Sequence, residues 1–217
     1  MTGTVMQLIG MYDSPFVRRV AVSMQMLGFA YEHRNWSVGK DFDAIRRYNP
    51  LGRVPTLVLA DGASLVESAA ILDHLDELAG PAHALLPRAG AARRDALQIM
   101  AIATGAAEKG VLQLYERAFR PAPLHHEPWV ERCRQQMEAA LHELERLCAS
   151  RPPGAWLVGT SMTQADITLA CMFTFMNEAL QLDRRPAEYL ALRASTQRCE
   201  ILPVFQSIKA DFAPPAP

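Results

Sequence analysis

The sequence predicts a two-part chain: an α/β domain over residues 1–80 and an all-α domain over residues 91–217, joined by a linker at 81–90. Three observations predict it. Strand and turn signals crowd the stretch before Gly80-Pro81. They vanish after Gly90, where long segments of helical periodicity take over. Between the two lies Pro81 to Gly90, broken by Pro81 and Pro87.

In the first part, Gln7 to Tyr12 reads as a buried strand. Asp13-Ser14-Pro15 opens a helix with Val17, Val20, Ala21, Met24 and Leu27 on one face, and Gly28 stops it. Phe29 to Trp36 reads as a second strand, Ser37 to Asp41 as a loop, and Phe42 to Tyr48 as one or two helical turns. Asn49-Pro50-Leu51-Gly52 carries turn chemistry. The apolar run from Val54 to Leu59, Asp61-Gly62 as a two-residue hairpin, and Leu65-Val66 follow. Glu67-Ser68 then opens an amphipathic helix bearing Ile71, Leu72, Leu75 and Leu78. The order β-α-β-α-β-β-α gives a compact sheet with helices packed on it. An acidic side chain, a hydroxyl and orphan backbone N–H groups meet at Glu67-Ser68. That set suits a small polar molecule carrying a carboxylate and an ammonium.

In the second part, Ala91 to Phe119 reads as one helix. Leu97, Met100, Ala101, Thr104, Val111, Tyr115 and Ala118 lie roughly on one side of it, and Gly105 and Gly110 are points at which it can bend. Glu127 to Ala149 is a second helix with Val130, Cys133, Met137, Leu141, Leu144 and Cys148 facing the core. Thr163-Gln164-Ala165-Asp166 has capping-box spacing with Asp in the acidic position, a folding role. The segment behind it, Ile167 to Leu180, is apolar enough to be buried all round. Short helices are expected at Ala187–Ala194 and Glu200–Asp211, and a disordered tail at Ala213–Pro217.

Composition narrows the function. Half of the 217 residues are hydrophobic and the net charge is −1. No basic excess calls for nucleic acid or an anionic membrane surface, and no apolar run reaches the ~18 residues of a membrane span. The N-terminus lacks a signal-peptide pattern. Cys133, Cys148, Cys171 and Cys199 are far apart, without metal-ligand spacing, and read as buried thiols of a cytoplasmic protein. His125-His126 are adjacent and would diverge by ~100° on a helix, a poor chelate, so no metal site is expected.

Several residues admit two readings on the sequence alone. Ser14 before Pro15 is what an N-cap followed by the first helical residue looks like. A hydroxyl at a helix N-terminus can also donate to an anion in the partial positive field there. Glu67 is either a favourable anion in a first turn or a ligand-binding group. Arg53 and Lys40 read as solvated charges, and Tyr115 and Phe119 as interhelical core.

Ser14-Pro15-Phe16-Val17-Arg18-Arg19-Val20, Asn49-Pro50 to Arg53-Val54-Pro55, Glu67-Ser68 and Thr163 to Asp166 occur in this order and spacing. With them, the chain resembles the glutathione transferase superfamily over nearly its whole length, most closely the serine-type classes, tau and its bacterial relatives. The resemblance implies a thioredoxin-like N-terminal domain, an all-helical C-terminal one and a two-fold dimer. It implies Ser14 as the catalytic hydroxyl, with Tyr12 a rival donor or a strand-end aromatic lining the pocket. Val54 would pair through its backbone with the cysteinyl part of glutathione, with Pro55 cis. Glu67 and Ser68 would hold the γ-glutamyl end, and Lys40 and Arg53 would face the glycyl carboxylate. Met11, Tyr12, Phe16, Tyr115 and Phe119 would line the site of a small hydrophobic electrophile. Isomerisation, dehalogenation and peroxide reduction use the same apparatus. The alternative is a transferase-like binding or regulatory protein without catalysis, since fold alone does not fix function.

Overall fold

The computed structural model describes residues 5–185 and 187–214. Four short strands, β1 (Met6–Ile9), β2 (Tyr31–Arg34), β3 (Thr56–Val58) and β4 (Ser64–Val66), form one sheet in the order β2-β1-β3-β4. β1 and β2 run parallel; β3 is antiparallel to β1 and to β4. Helices α1 (Pro15–Met26), α2 (Phe42–Arg46) and α3 (Ser68–Ala79) complete this half.

The remainder is helical: α4 (Gly90–Ala118), α5 (Glu127–Ala149), α6 (Gln164–Ala179), α7 (Leu190–Glu200) and α8 (Pro203–Ser207), with 3₁₀ turns at Ala122–Leu124 and Leu182–Arg184.

Local chemistry sets where the elements stop. β1 ends at Ile9, short of Tyr12, because Gly10 takes φ 133°. Its N–H still bonds the Arg34 carbonyl at 2.9 Å. A Cβ on Gly10 would lie 2.4 Å from Val17 and 2.8 Å from Val54, so only glycine lets this turn pass so close to the Val54-Pro55 loop. The β3–β4 turn is one residue longer than the two-residue hairpin expected. Leu59 faces Ala63, leaving Ala60, Asp61 and Gly62 in the loop, with Gly62 at φ 88°.

The C-terminal helices differ more. α7 runs through to Glu200, where a break between Ala194 and Glu200 was expected. The helix expected over Glu200–Asp211 shrinks to Pro203–Ser207, because Leu202 precedes a proline and is held extended at ψ 141°. The expected tail begins at a docked residue: the Ala213 N–H bonds Asp13 at 3.2 Å. Its last three residues lie outside those described.

Two cores form, and α6 belongs to both. Its Leu169, Met172, Phe173 and Met176 join a helical cluster with α4 and α5. Its Ile167, Ala170 and Cys171 pack instead with Leu8, Val17, Val20 and Leu72 of the first domain. This two-sided duty explains an apolar helix without a polar face. Its start is fixed as expected. The Thr163 hydroxyl accepts from the Ala165 N–H at 3.3 Å, and Asp166 accepts from the Thr163 N–H at 2.9 Å and the Leu157 N–H at 2.9 Å.

The α4 stripe expected from large apolar residues is displaced by about one position. The buried face is Ala96, Ile99, Met100, Ala103, Ala106, Ala107 and Gly110; Leu97, Ala101 and Tyr115 are exposed. Small side chains make up most of this face, beside Ile99 and Met100, and let α5 and α6 approach closely.

Candidate glutathione site

The loop leading into β3 is held from below by Asn49, which is 1% exposed. Its amide donates to the Arg53 carbonyl at 2.7 Å and the Thr56 hydroxyl at 3.1 Å, while its Oδ1 accepts from the Leu51 N–H at 3.0 Å. Gly52 at φ 61° completes the turn, with the Phe42 ring where a Cβ would be. The Val54-Pro55 peptide bond is cis, as expected. A small pocket opens here, lined by Phe16, Asn49, Leu51, Arg53, Val54, Pro55 and Glu67.

Glu67 stands at the pocket's far wall with φ 70°, a backbone conformation that costs a non-glycine residue roughly 1–3 kcal/mol. Glu67 is the N-cap residue of α3, and its side chain makes no capping bond to the helix. The Ser68 hydroxyl, offered by the sequence to a ligand, is fully buried. It accepts from Arg19 Nη2 at 2.6 Å and donates to Glu67 Oε1 at 3.2 Å.

Ser14 caps α1 with extended backbone (φ −70°, ψ 120°) and Pro15 following it. Its side chain makes no capping bond, so the hydroxyl is not consumed by the helix. Tyr12 is differently committed. Its hydroxyl pairs with that of Tyr31 at 2.9 Å, and its ring stacks on His33 at 3.8 Å with planes 1° apart. His33 in turn reaches the Gly10 carbonyl at 2.7 Å. The phenol is thereby anchored to β2.

Asp13, next to Ser14, has one carboxylate oxygen on the Ala213 N–H and the other buried without a partner, and burial raises its pKa. Nothing in the sequence marks this residue beyond its place at a helix start.

Tyr115 and Phe119 are 38% and 41% exposed and meet edge to face at 5.0 Å, so they are not interhelical core. Burial raises the Tyr115 phenol, and the charges of Arg53 and Asp13 act on it from the first domain. Phe16 lines the pocket and also packs on the helical core. Met11 is half-buried beside Ser14, whose N–H bonds the Met11 carbonyl at 3.2 Å. Lys40 is exposed on its loop and does not line the pocket.

All four cysteines are buried, and burial pushes their thiols up: Cys148 to about 11 and Cys171 to about 12. His125 is bonded to the Arg120 carbonyl at 2.8 Å and contacts Arg117. Among the described residues, no helix is long and apolar enough to cross a membrane.

Comparison with known proteins decides the family. The model of the glutathione S-transferase N-terminal domain matches residues 8–83, and that of the C-terminal domain residues 127–195. The uncharacterised GST-like protein YibF of Escherichia coli strain K12 is 31% identical over 79% of this chain and 82% of its own length. This chain belongs to the glutathione S-transferase family.

A glutathione S-transferase of Methylobacterium radiotolerans, solved in complex with glutathione sulfonate, superposes with a TM-score of 0.85 at 30% identity over 94% of both chains. A family member from Pseudomonas fluorescens Pf-5, solved with bound glutathione, gives 0.79 at 27% identity over 94% of this chain and 98% of its own. Within the glutathione S-transferase fold, Arg53, Val54, Pro55, Glu67 and Phe16 meet at one pocket in this chain. Ser14 is the N-cap residue of α1, Tyr115 lies in the last turn of α4 and Phe119 is the C-cap residue of α4. Sequence reasoning missed Asn49 and Arg19 as organisers of this site. The signal for Asn49 was its Asn-Pro turn. The signal for Arg19 was a cation on the otherwise apolar first helix.

Proposed function

We propose that the protein is a glutathione transferase: it binds glutathione as the thiolate and presents the sulfur to a hydrophobic electrophile between the domains. The observation that carries the reading is the Ser14 hydroxyl, uncommitted to capping, at the positive end of α1. Lowering a thiol from ~8.5 to ~6.5 requires about 2.7 kcal/mol of preference for the anion. One hydrogen bond to a charged acceptor supplies roughly 1.5–3 kcal/mol, and a helix end supplies ~0.3–1 kcal/mol. Together they suffice without a general base.

Val54 backbone groups receive the cysteinyl part, Glu67 meets the γ-glutamyl ammonium, and the Ser68 N–H meets its carboxylate. Arg53 faces the glycyl carboxylate, with Lys40 more distant. In the reaction, the thiolate forms a carbon–sulfur bond and the leaving group departs with its electron pair. Tyr115, Phe119, Phe16, Met11 and the ring of Tyr12 give the electrophile an apolar surface. Relatives solved with glutathione sulfonate and glutathione support the ligand. A two-fold dimer belongs to the same reading, with exposed Leu78 on α3 and Leu97 on α4 as its apolar contacts.

The test is an ultraviolet titration of the bound thiolate. Ser14→Ala is expected to raise its apparent pKa by about one to two units and to slow conjugation of a chlorodinitrobenzene. An unchanged titration removes Ser14 from the chemistry. A wild-type chain that neither binds glutathione-agarose nor turns over belongs with the non-catalytic members of the family.

A further inference from the structure

Asp13 stands immediately before Ser14 and is held by backbone, not by a counter-ion. One carboxylate oxygen accepts from the Ala213 N–H at 3.2 Å, and the other is buried without a partner. Burial raises its pKa, opposed by the backbone N–H groups of Ala213 and Ser14 and by no basic side chain. An unsatisfied buried oxygen of this kind calls for a reason. Capping of α1 does not supply it, because the N-cap residue is Ser14.

The position of Asp13 does. Ala213 belongs to the segment after α8, whose Phe212 meets Phe175 of α6 edge to face at 5.7 Å. Asp13 is thus held where the start of α1 meets the helical domain. Its charge is felt on the other side of the boundary: burial raises the Tyr115 phenol on α4, Arg53 lowers it and Asp13 raises it. Neighbouring Cα atoms are ~3.8 Å apart. An electrophile that bonds a sulfur seated at Ser14 therefore comes within roughly 10 Å of the Asp13 carboxylate, a distance at which charges still act on one another.

Bound glutathione leaves this charge unanswered. In the reading above, the ligand's ammonium neutralises Glu67 and its glycyl carboxylate neutralises Arg53, while the thiolate adds a second negative charge beside Ser14. We propose that Asp13 is a specificity-determining residue for the second substrate: its carboxylate makes the cleft select neutral or cationic electrophiles and reject those that carry a carboxylate. The proposal rests on the glutathione transferase reading. Repulsion between like charges at this range, in a partly desolvated site, separates substrates that share one reacting ring.

The experiment uses three chlorodinitrobenzene derivatives on the full chain: the ring carboxylate, its neutral amide and its cationic aminoethyl amide. In each, the thiolate sulfur bonds the ring carbon and chloride leaves with its electron pair, so the remote charge is what varies. Asp13→Asn removes the charge and keeps an oxygen for the Ala213 N–H. It is expected to raise the carboxylate-to-amide ratio of kcat/KM by about fivefold or more, and to lower the ratio of the cationic to the neutral substrate. Asp13→Glu, which keeps the charge, is expected to retain the wild-type order.

Ratios unchanged in Asp13→Asn overturn the proposal. So does a change by the same factor for all three substrates, which marks a purely structural residue. Where Asp13→Asn does not fold, Asp13→Ser is read by the same two ratios. A wild-type chain that is not retained on glutathione-agarose and conjugates none of the three overturns the transferase reading itself, a result distinct from either of these.

Discussion

Asn49 spends every polar atom of its side chain on the loop before β3 and exposes none of them. Asn49→Ala would take its partner from the Leu51 N–H and leave the Arg53 carbonyl with the Thr56 hydroxyl at 3.2 Å. A stranded group costs about 1–3 kcal/mol, and the expected loss is about 1–3 kcal/mol by urea denaturation. Asn49→Asp keeps the Leu51 contact but loses the donor to Arg53, so it should fall between wild type and Ala. A loss below the cost of one hydrogen bond would show that the loop holds itself. Glutathione affinity should fall with it, because Val54 hangs on the same loop. At this scale the sequence marked positions better than contacts. Asn49 announced a turn, but not that its amide would reach seven residues on to Thr56. Ser68 announced a hydroxyl at a helix start, but its inward orientation depends on Arg19, 49 residues away in sequence. Tyr12 is decided likewise by Tyr31, a partner that only strand pairing brings near.

Helix α4 carries the next lesson, because it passes through two interior glycines. It continues unbroken from Gly90 to Ala118 through Gly105 and Gly110. The two have different surroundings. A Cβ at Gly105 meets nothing within 4 Å, whereas one at Gly110 comes within 3.3 Å of Leu180 and 3.6 Å of Met176. Gly105→Ala should stabilise the protein by about 0.5–1 kcal/mol, the helix-propensity difference with no packing cost. Gly110→Ala should gain less, since Leu180 must give way. A denaturation midpoint for Gly105→Ala at or below that of wild type would mean that the glycine serves something other than the helix. Most elements were legible because turn chemistry and periodicity act locally: the capping box at Thr163, the Glu127 helix and the cis-proline loop all stand where expected. The α4 face was not. Alanine and glycine look featureless in a sequence, yet they make most of the close contact, while Leu97 and Tyr115, which draw the eye, are exposed.

Across the whole molecule, the first helix is clamped by the last ones. Arg18 Nε donates to the Ile208 carbonyl at 2.7 Å and Nη2 to the Phe205 carbonyl at 3.0 Å, while Glu200 takes both terminal nitrogens and also accepts from Thr174 at 2.6 Å. The contact joins α1 to α6, α7 and the segment after α8, across about 190 residues of sequence. Burial alone would lower the Arg18 pKa, but the hydrogen bond to Glu200 and the surrounding negative charges, Glu200 and Glu178 among them, together offset it, and the pKa rises. The two domains should therefore unfold together. Arg18→Met leaves the Glu200 carboxylate, 16% exposed, without its counter-charge. The expected cost is about 3–5 kcal/mol. Glu200→Gln in the Arg18→Met background removes that stranded charge and should restore part of the loss, because the penalty is the unpaired ion rather than the absence of the pair. Fluorescence from Trp36 in the first domain and from Trp129 and Trp156 in the second separates the possible outcomes. In wild type, the fluorescence and circular dichroism transitions in urea should coincide. In Arg18→Met they should shift together to lower urea if the clamp acts on one cooperative unit. Splitting into two transitions would show that Arg18 supplies the coupling between domains as well as stability. A midpoint indistinguishable from wild type would mean that the clamp contributes nothing to the fold.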